Sequence, residues 1–206
     1  NPPITYVMRQ ELQHININKD TKLYNSQSCS HPYWRKSKFK TNLKMTQFDK
    51  HNTSQEVIKR TFHETLDKYT KNSYEVIYTD GSNTAHGYGS AIITKDKTYK
   101  YKCHDYCTVY TTELFALSKA LKHRRTNKTL ICTDSLSVVQ ALKNSQNKNP
   151  MIQQIQDKLR DNNYETTIMW IPSHMGIKGN DEADSSAKEA TKQQLYPNYK
   201  ILAEDI

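Results

Sequence analysis

Val76-Ile77-Tyr78-Thr79-Asp80-Gly81-Ser82 is the stretch whose reading decides the fold, because Leu130-Ile131-Cys132-Thr133-Asp134-Ser135 repeats its design further along the chain. Each is a short apolar run that reads as a buried strand. Each run stops at an Asp followed by a small residue. In open α/β sheets, ligand sites lie just outside the carboxyl ends of the strands. If the two strands are neighbours, Asp80 and Asp134 converge there. Taken singly, Asp-Gly and Asp-Ser pairs also serve as turns and helix caps. The weight therefore falls on the pair.

Around these two runs the chain alternates strand and helix patterns. Strands are expected at 74–79, 86–94 and 98–103, with Lys95-Asp96-Lys97 as a turn. A helix over 111–123 precedes the 129–133 strand, and helices at 136–143 and 151–161 follow, separated by a break at Asn147–Pro150. A strand over 165–171 carries Trp170, and a Gly-bearing loop at 172–179 leads to a helix over 180–194. Ala183, Ala187 and Ala190 recur there at i, i+4 and i+7. The order βββαβααβα predicts an α/β domain with a mixed five-stranded sheet flanked by helices. The boundaries expected are a basic, partly irregular N-terminal extension or linker over 1–73, the α/β domain over 74–195, and a C-terminal tail over 196–206. Within the extension, Val57, Phe62 and Leu66 fall near helical spacing, so 54–70 is expected to hold a short amphipathic helix.

The net charge of +9 is unevenly spread. Residues 1–73 carry 13 Lys and Arg against 6 Asp and Glu, whereas residues 74–206 carry 17 against 15. A polyanion partner is expected, either nucleic acid or an anionic membrane surface. The cluster His31-Pro32-Tyr33-Trp34-Arg35-Lys36 suits stacking on bases and binding phosphate, or anchoring on a neighbouring domain. No apolar run approaches the ~18 residues of a membrane span. Asn1-Pro2-Pro3 is not a basic patch followed by an apolar stretch, so no secretory signal is expected. Without an initiating Met, the chain is expected to be a piece of a longer product. Four cysteines form no disulfide framework, which implies a reducing, intracellular setting, cytoplasmic or nuclear. Cys103-His104 and Cys107 have no second Cys pair with which to complete a zinc site.

Two further acids fall on helix patterns. Glu113 shares a face with Leu117, Ala120 and Leu121, placing an acid at the edge of an apolar stripe. Asp184 flanks the alanine stripe of the last helix. Either acid also suits the positive N-terminal end of its helix. Brought together, four acids repel unless cations sit among them, and hard divalent ions such as Mg²⁺ take oxygen ligands of this kind. Two such ions stabilise the attacking and leaving oxygens in phosphodiester hydrolysis.

Thr79-Asp80-Gly81-Ser82, Tyr110-Thr111-Thr112-Glu113-Leu114-Phe115-Ala116-Leu117, Thr133-Asp134-Ser135 and the run from Trp170 through His174 to Asp184 together resemble type 1 ribonuclease H. The last block is the most specific, since His174 precedes Asp184 by ten positions across a Gly- and Asn-bearing loop, as in the family. The resemblance covers about 120 of the 206 residues and looks most like the domain that follows the reverse transcriptase of insect-type non-LTR retrotransposons. It implies that Asp80, Glu113, Asp134 and Asp184 bind two Mg²⁺ ions, with Mn²⁺ as a substitute, and that His174 assists product release or proton movement. It further implies that Gly81, Ser82, Thr108 and Asn180 contact an RNA–DNA hybrid, with Gly81 and Ser82 in a turn that approaches the 2′-hydroxyls of the RNA strand. Cellular members often carry a basic helical protrusion. Here the equivalent stretch, Asn144–Pro150, has only Lys148 as a cation, so an upstream reverse transcriptase and residues 1–73 are expected to help hold the substrate. Two other readings remain open at this level: a domain that binds nucleic acid or supports a reverse transcriptase without cutting, and a DNA transferase built on the same sheet.

Overall fold

The computed structural model describes residues 22–23, 39–49, 52–161, 163–197, 199–202 and 205. The His31–Lys36 cluster and Cys29 lie outside them. The strands are β1 (Lys22–Leu23), β2 (Lys40–Asn42), β3 (Glu75–Thr84), β4 (Gly87–Ile93), β5 (Thr98–Lys102), β6 (Lys128–Thr133), β7 (Glu165–Trp170) and β8 (Lys200–Ile201). The helices are α1 (Gln55–Lys71), α2 (Val109–Ala120), α3 (Leu136–Lys143), α4 (Pro150–Leu159) and α5 (Lys178–Ala190), with a 3₁₀ turn at Lys44–Gln47.

The main sheet has the order β2-β7-β6-β3-β4-β5. The first four strands run parallel, and β4 and β5 complete an antiparallel meander from β3. The five expected strands are present, and a sixth, β2, comes from the basic extension and pairs Thr41 with Ile168 of β7. A short parallel pair, β1 with β8, lies apart from this sheet.

Successive strand residues face opposite sides, and the two faces have separate cores. Ile77, Ile92, Ile131 and Ile168 face α2, which is backed by α3 and α4. On the other face, Leu130, Cys132 and Met169 meet Ile58 and Phe62 of α1 and Met45 of the 3₁₀ turn. Burying Ile58 and Phe62 contributes about 1.5–3 kcal/mol each, so part of the 1–73 stretch belongs to the packing of the sheet. Ser54 caps α1 by accepting from the Val57 N–H.

α5 packs on β3 and β4. Its alanine stripe is fully buried, and the helix comes so close that a Cβ on Gly89 would stand 2.9 Å from the Thr191 nitrogen and inside contact distance of the Ala187 carbonyl. Only small residues on both surfaces permit that approach.

α2 departs from the amphipathic pattern expected of it. Every residue from 111 to 120 is buried, Lys119 included. The C-terminal tail covers what would have been its solvent face: Tyr196 and Tyr199 pack on Phe115, and the Lys119 ammonium lies 3.8 Å from the Tyr196 ring centroid.

Candidate metal centre

β3 and β6 pair in parallel through Thr79 and Thr133, so Asp80 and Asp134 are the next residues of adjacent strands. Neighbouring strands lie about 4.8 Å apart. By the period of two, both acids belong to the face that carries Leu130 and Cys132. Glu113 arrives from α2 on the opposite face. One carboxylate oxygen from each of Asp80, Glu113 and Asp134 lies within 4.8 Å of the other two.

Gly81 makes this approach possible. The expected turn at Gly81-Ser82 is not there: β3 runs on to Thr84, because β4 supplies a partner strand after the pairing with β6 has ended. Both residues are buried within that strand, and Gly81 faces the first turn of α2. A Cβ at Gly81 would stand 2.6 Å from the Glu113 nitrogen and 2.8 Å from the Thr112 carbonyl carbon. Glycine therefore lets α2 press its first turn, and with it Glu113, against the strand that carries Asp80.

Two groups hold Asp134. The Trp170 indole N–H donates to its backbone carbonyl at 2.9 Å, and the Asn180 amide donates to its carboxylate at 3.2 Å. Asn180, expected at the substrate, is only 2% exposed and stands behind Asp134. Trp170 had no assigned role in the sequence; an aromatic with a polar N–H at the end of a strand next to an acid-ended strand was the available signal.

Asp184 stands outside the three-carboxylate set. Lys188, one turn on, donates to it at 2.7 Å, while its charge still reaches Asp80. Thr108 is the exposed N-cap of α2, and its hydroxyl accepts from the Thr111 N–H. His174 is exposed in the loop after β7, with φ at +58°. That loop leaves the sheet at the same end as Asp134, since Trp170 pairs with Thr133.

The electrostatics of the cluster are those of a cation site. Burial pushes the Asp80 carboxyl up to about 8, and Asp134 and Asp184 add to this; the Gly81 N–H and a hydrogen bond from Glu113 work the other way. Glu113, 6% exposed, is raised for the same leading reason, with Asp80 and Asp134 next. Its Oε2 is buried without a hydrogen-bond partner among the described residues. An orphaned buried carboxylate oxygen among other acids is costly unless a cation meets it. The all-oxygen donor set fits a hard divalent ion such as Mg²⁺. The thiols do not compete: burial raises Cys103 to about 11 and Cys107 to about 12, and their sulfurs bond to Ser90 and Tyr199.

A family model described as RNase H matches residues 71–192. The chain belongs to the RNase H family. The matched span opens at the last residue of α1 and closes just after α5, so it contains β3 through β7 and the acids Asp80, Glu113, Asp134 and Asp184.

The raised acids give a measurable linkage. Without a cation the carboxylate cluster keeps protons that the unfolded chain has already released, so the folded state binds more protons between the ordinary carboxylate range and about pH 8. The destabilisation from this cluster is absent below that window, grows as pH rises through it, and is complete above about 8. A divalent cation that binds among these acids displaces those protons. The gain in Tm on adding millimolar Mg²⁺ over EDTA is therefore expected to be several degrees at pH 8.5 and much smaller at pH 5.5. Differential scanning fluorimetry at the two pH values reads it; a pH-independent gain would mean that Mg²⁺ binds elsewhere.

Proposed function

We propose that this RNase H domain is a type 1, metal-dependent endonuclease that hydrolyses the RNA strand of RNA–DNA hybrids. The observation that carries the reading is the convergence of Asp80, Glu113 and Asp134 at the carboxyl end of β6, beside the point of β3 where its pairing with β6 ends, in a chain that belongs to this family. In this reading the protein acts inside the cell, in a retrotransposon setting, downstream of a reverse transcriptase that shares the work of holding the hybrid. The catalytic unit runs over 74–195, with β2 and α1 of the 1–73 stretch packed on its sheet, the rest of 1–73 leading to the upstream part, and 196–206 as a tail that covers α2.

Asp80, Glu113, Asp134 and Asp184 would hold two Mg²⁺ ions, which when bound supply positive charge to the attacking and leaving oxygens of the phosphodiester. The protein's own groups do the rest. Asn180 and Trp170 fix the Asp134 carboxylate and its backbone. The close contact at Gly81 keeps Glu113 against Asp80. His174, on its exposed loop, moves a proton at the leaving oxygen. Ser82 and Thr108 contact the substrate backbone.

The test is cleavage of end-labelled RNA–DNA, RNA–RNA and DNA–DNA duplexes with Mg²⁺ or with chelator. Cutting is expected in the RNA strand of the hybrid alone, only with the cation, leaving a 3′-hydroxyl and a 5′-phosphate. Products ending in a 3′-phosphate, or cleavage in EDTA, would sink the reading. In the same assay His174→Ala should slow single-turnover cleavage by roughly 10²-fold, the low end for general acid–base help from a mobile group. Calorimetric Mg²⁺ affinity should stay unchanged, since the four carboxylates remain.

A further inference from the structure

A cleft of about 470 Å³ opens at the other end of the sheet. β6 and β7 enter the sheet at Lys128 and Glu165, which are paired, and leave it at Thr133 and Trp170. Five residue steps of about 3.3 Å put about 17 Å between the cleft and the carboxylate end. Lys128 and Glu165 line it from the sheet, Lys44 from the turn after β2, and Lys68 and Asn72 from the end of α1.

The charges in this cleft do not balance. Its one acid, Glu165, is occupied: Lys40 donates to it at 2.7 Å, and the Tyr74 hydroxyl also bonds to it. Lys44, Lys68 and Lys128 take part in no ion pair among the described residues. The Lys128 ammonium lies 5.9 Å from the Tyr74 ring centroid, and its charge also acts on Glu165 across the strand pair. Three lysines thus line one concavity against a single acid, and the Asn72 amide and the Tyr69 ring stand in the same walls.

We propose that this cleft binds the phosphate backbone of a nucleic-acid strand, as a second contact separate from the carboxylate site. The charge of residues 1–73, which supply Lys44 and Lys68, favours a polyanion. The concave shape favours a strand, whose phosphates project, over a flat anionic bilayer. Aromatic rings beside lysines are how strands are held without regard to sequence. The site is independent of hydrolysis, so it can be tested on a chain that cuts nothing.

The test is fluorescence anisotropy of a labelled single-stranded 12-mer DNA with the full chain, in EDTA, over a range of salt. The triple variant Lys44→Gln, Lys68→Gln, Lys128→Gln should bind at least about 10-fold more weakly at low salt, and its log–log salt slope should be shallower by about 2. Glu165→Gln frees Lys40 and should tighten binding severalfold, a result that misfolding cannot produce. A triple variant with wild-type affinity and slope would overturn the proposal, as would a Glu165→Gln variant that binds no tighter. If the triple variant lost binding only to phosphatidylserine vesicles, the cleft would be a membrane contact instead.

Discussion

Asp80→Asn or Asp134→Asn is expected to lower single-turnover cleavage of an RNA–DNA hybrid by on the order of 10³-fold or more, with the fold intact. Both residues lie in the set whose oxygens stand within 4.8 Å of one another, so each shares in holding the same cationic charge. An amide has the same shape but cannot supply the negative charge. The stability arm distinguishes a lost site from a lost fold. Asp80 is 5% exposed and its proton is held up to about pH 8. Above that pH the wild-type, metal-free chain carries an uncompensated buried charge that Asp80→Asn lacks. In EDTA at pH 8.5, Asp80→Asn should therefore melt at the wild-type temperature or higher. Its Tm gain with Mg²⁺ should disappear. Cleavage within tenfold of wild type would remove Asp80 from the chemistry, and a lower Tm in EDTA would mean that the carboxylate stabilises the fold on its own.

Gly81→Ala should be the most damaging single-methyl change near the site. The new Cβ would meet the Thr112 hydroxyl oxygen, the Thr112 carbonyl carbon at 2.8 Å and the Glu113 nitrogen at 2.6 Å. Two of these are backbone atoms in the first turn of α2, and they cannot swing aside as a side chain could. The helix must shift, and Glu113 goes with it. Overpacking of this kind costs about 1–3 kcal/mol, and a displacement near 1 Å at reacting groups costs about 10²-fold in rate. Gly89→Ala is the control, because its Cβ would meet the Ala187 carbonyl and the Thr191 nitrogen at the far end of α5, outside the carboxylate set. The expected pattern is that both variants lose stability, while Gly81→Ala loses far more rate per degree of Tm. Equal rates at matched stability would show that Gly81 packs the helix without positioning Glu113.

Which parts of the molecule were legible in the sequence follows from the range of the signals. The two acid-ended runs at Val76–Asp80 and Leu130–Asp134 were readable because strand burial has a period of two and leaves a local mark. Their parallel pairing then set Asp80 beside Asp134 with no further information. The alanine stripe of α5 was equally local, and its burial against β4 followed. Glu113 was ambiguous on its own, because an acid in the first turn of a helix has a dipole explanation. Motif order singled it out, and the fold gave the cause, in that Gly81 leaves room for α2 to bring it in.

Three things were decided only by the tertiary structure. β2 and α1 joined the sheet and its second core because their partners, Ile168 and Leu130, lie far along the chain, where no local period reaches. The strand through Gly81-Ser82 continued because β4 pairs with it as far as Thr84 along the edge opposite β6, which a turn propensity cannot anticipate. The burial state and partners of the site residues came last. Asn180 turned inward to Asp134, and Asp184 was met by Lys188, because a side chain's partner depends on which groups the fold brings within hydrogen-bond distance. The sequence by itself determined which residues could carry negative charge at the ends of its apolar runs and on its helices. Only the tertiary structure decided which three of those charges share one buried space, because the desolvation and mutual repulsion that make a cation site arise from that closeness.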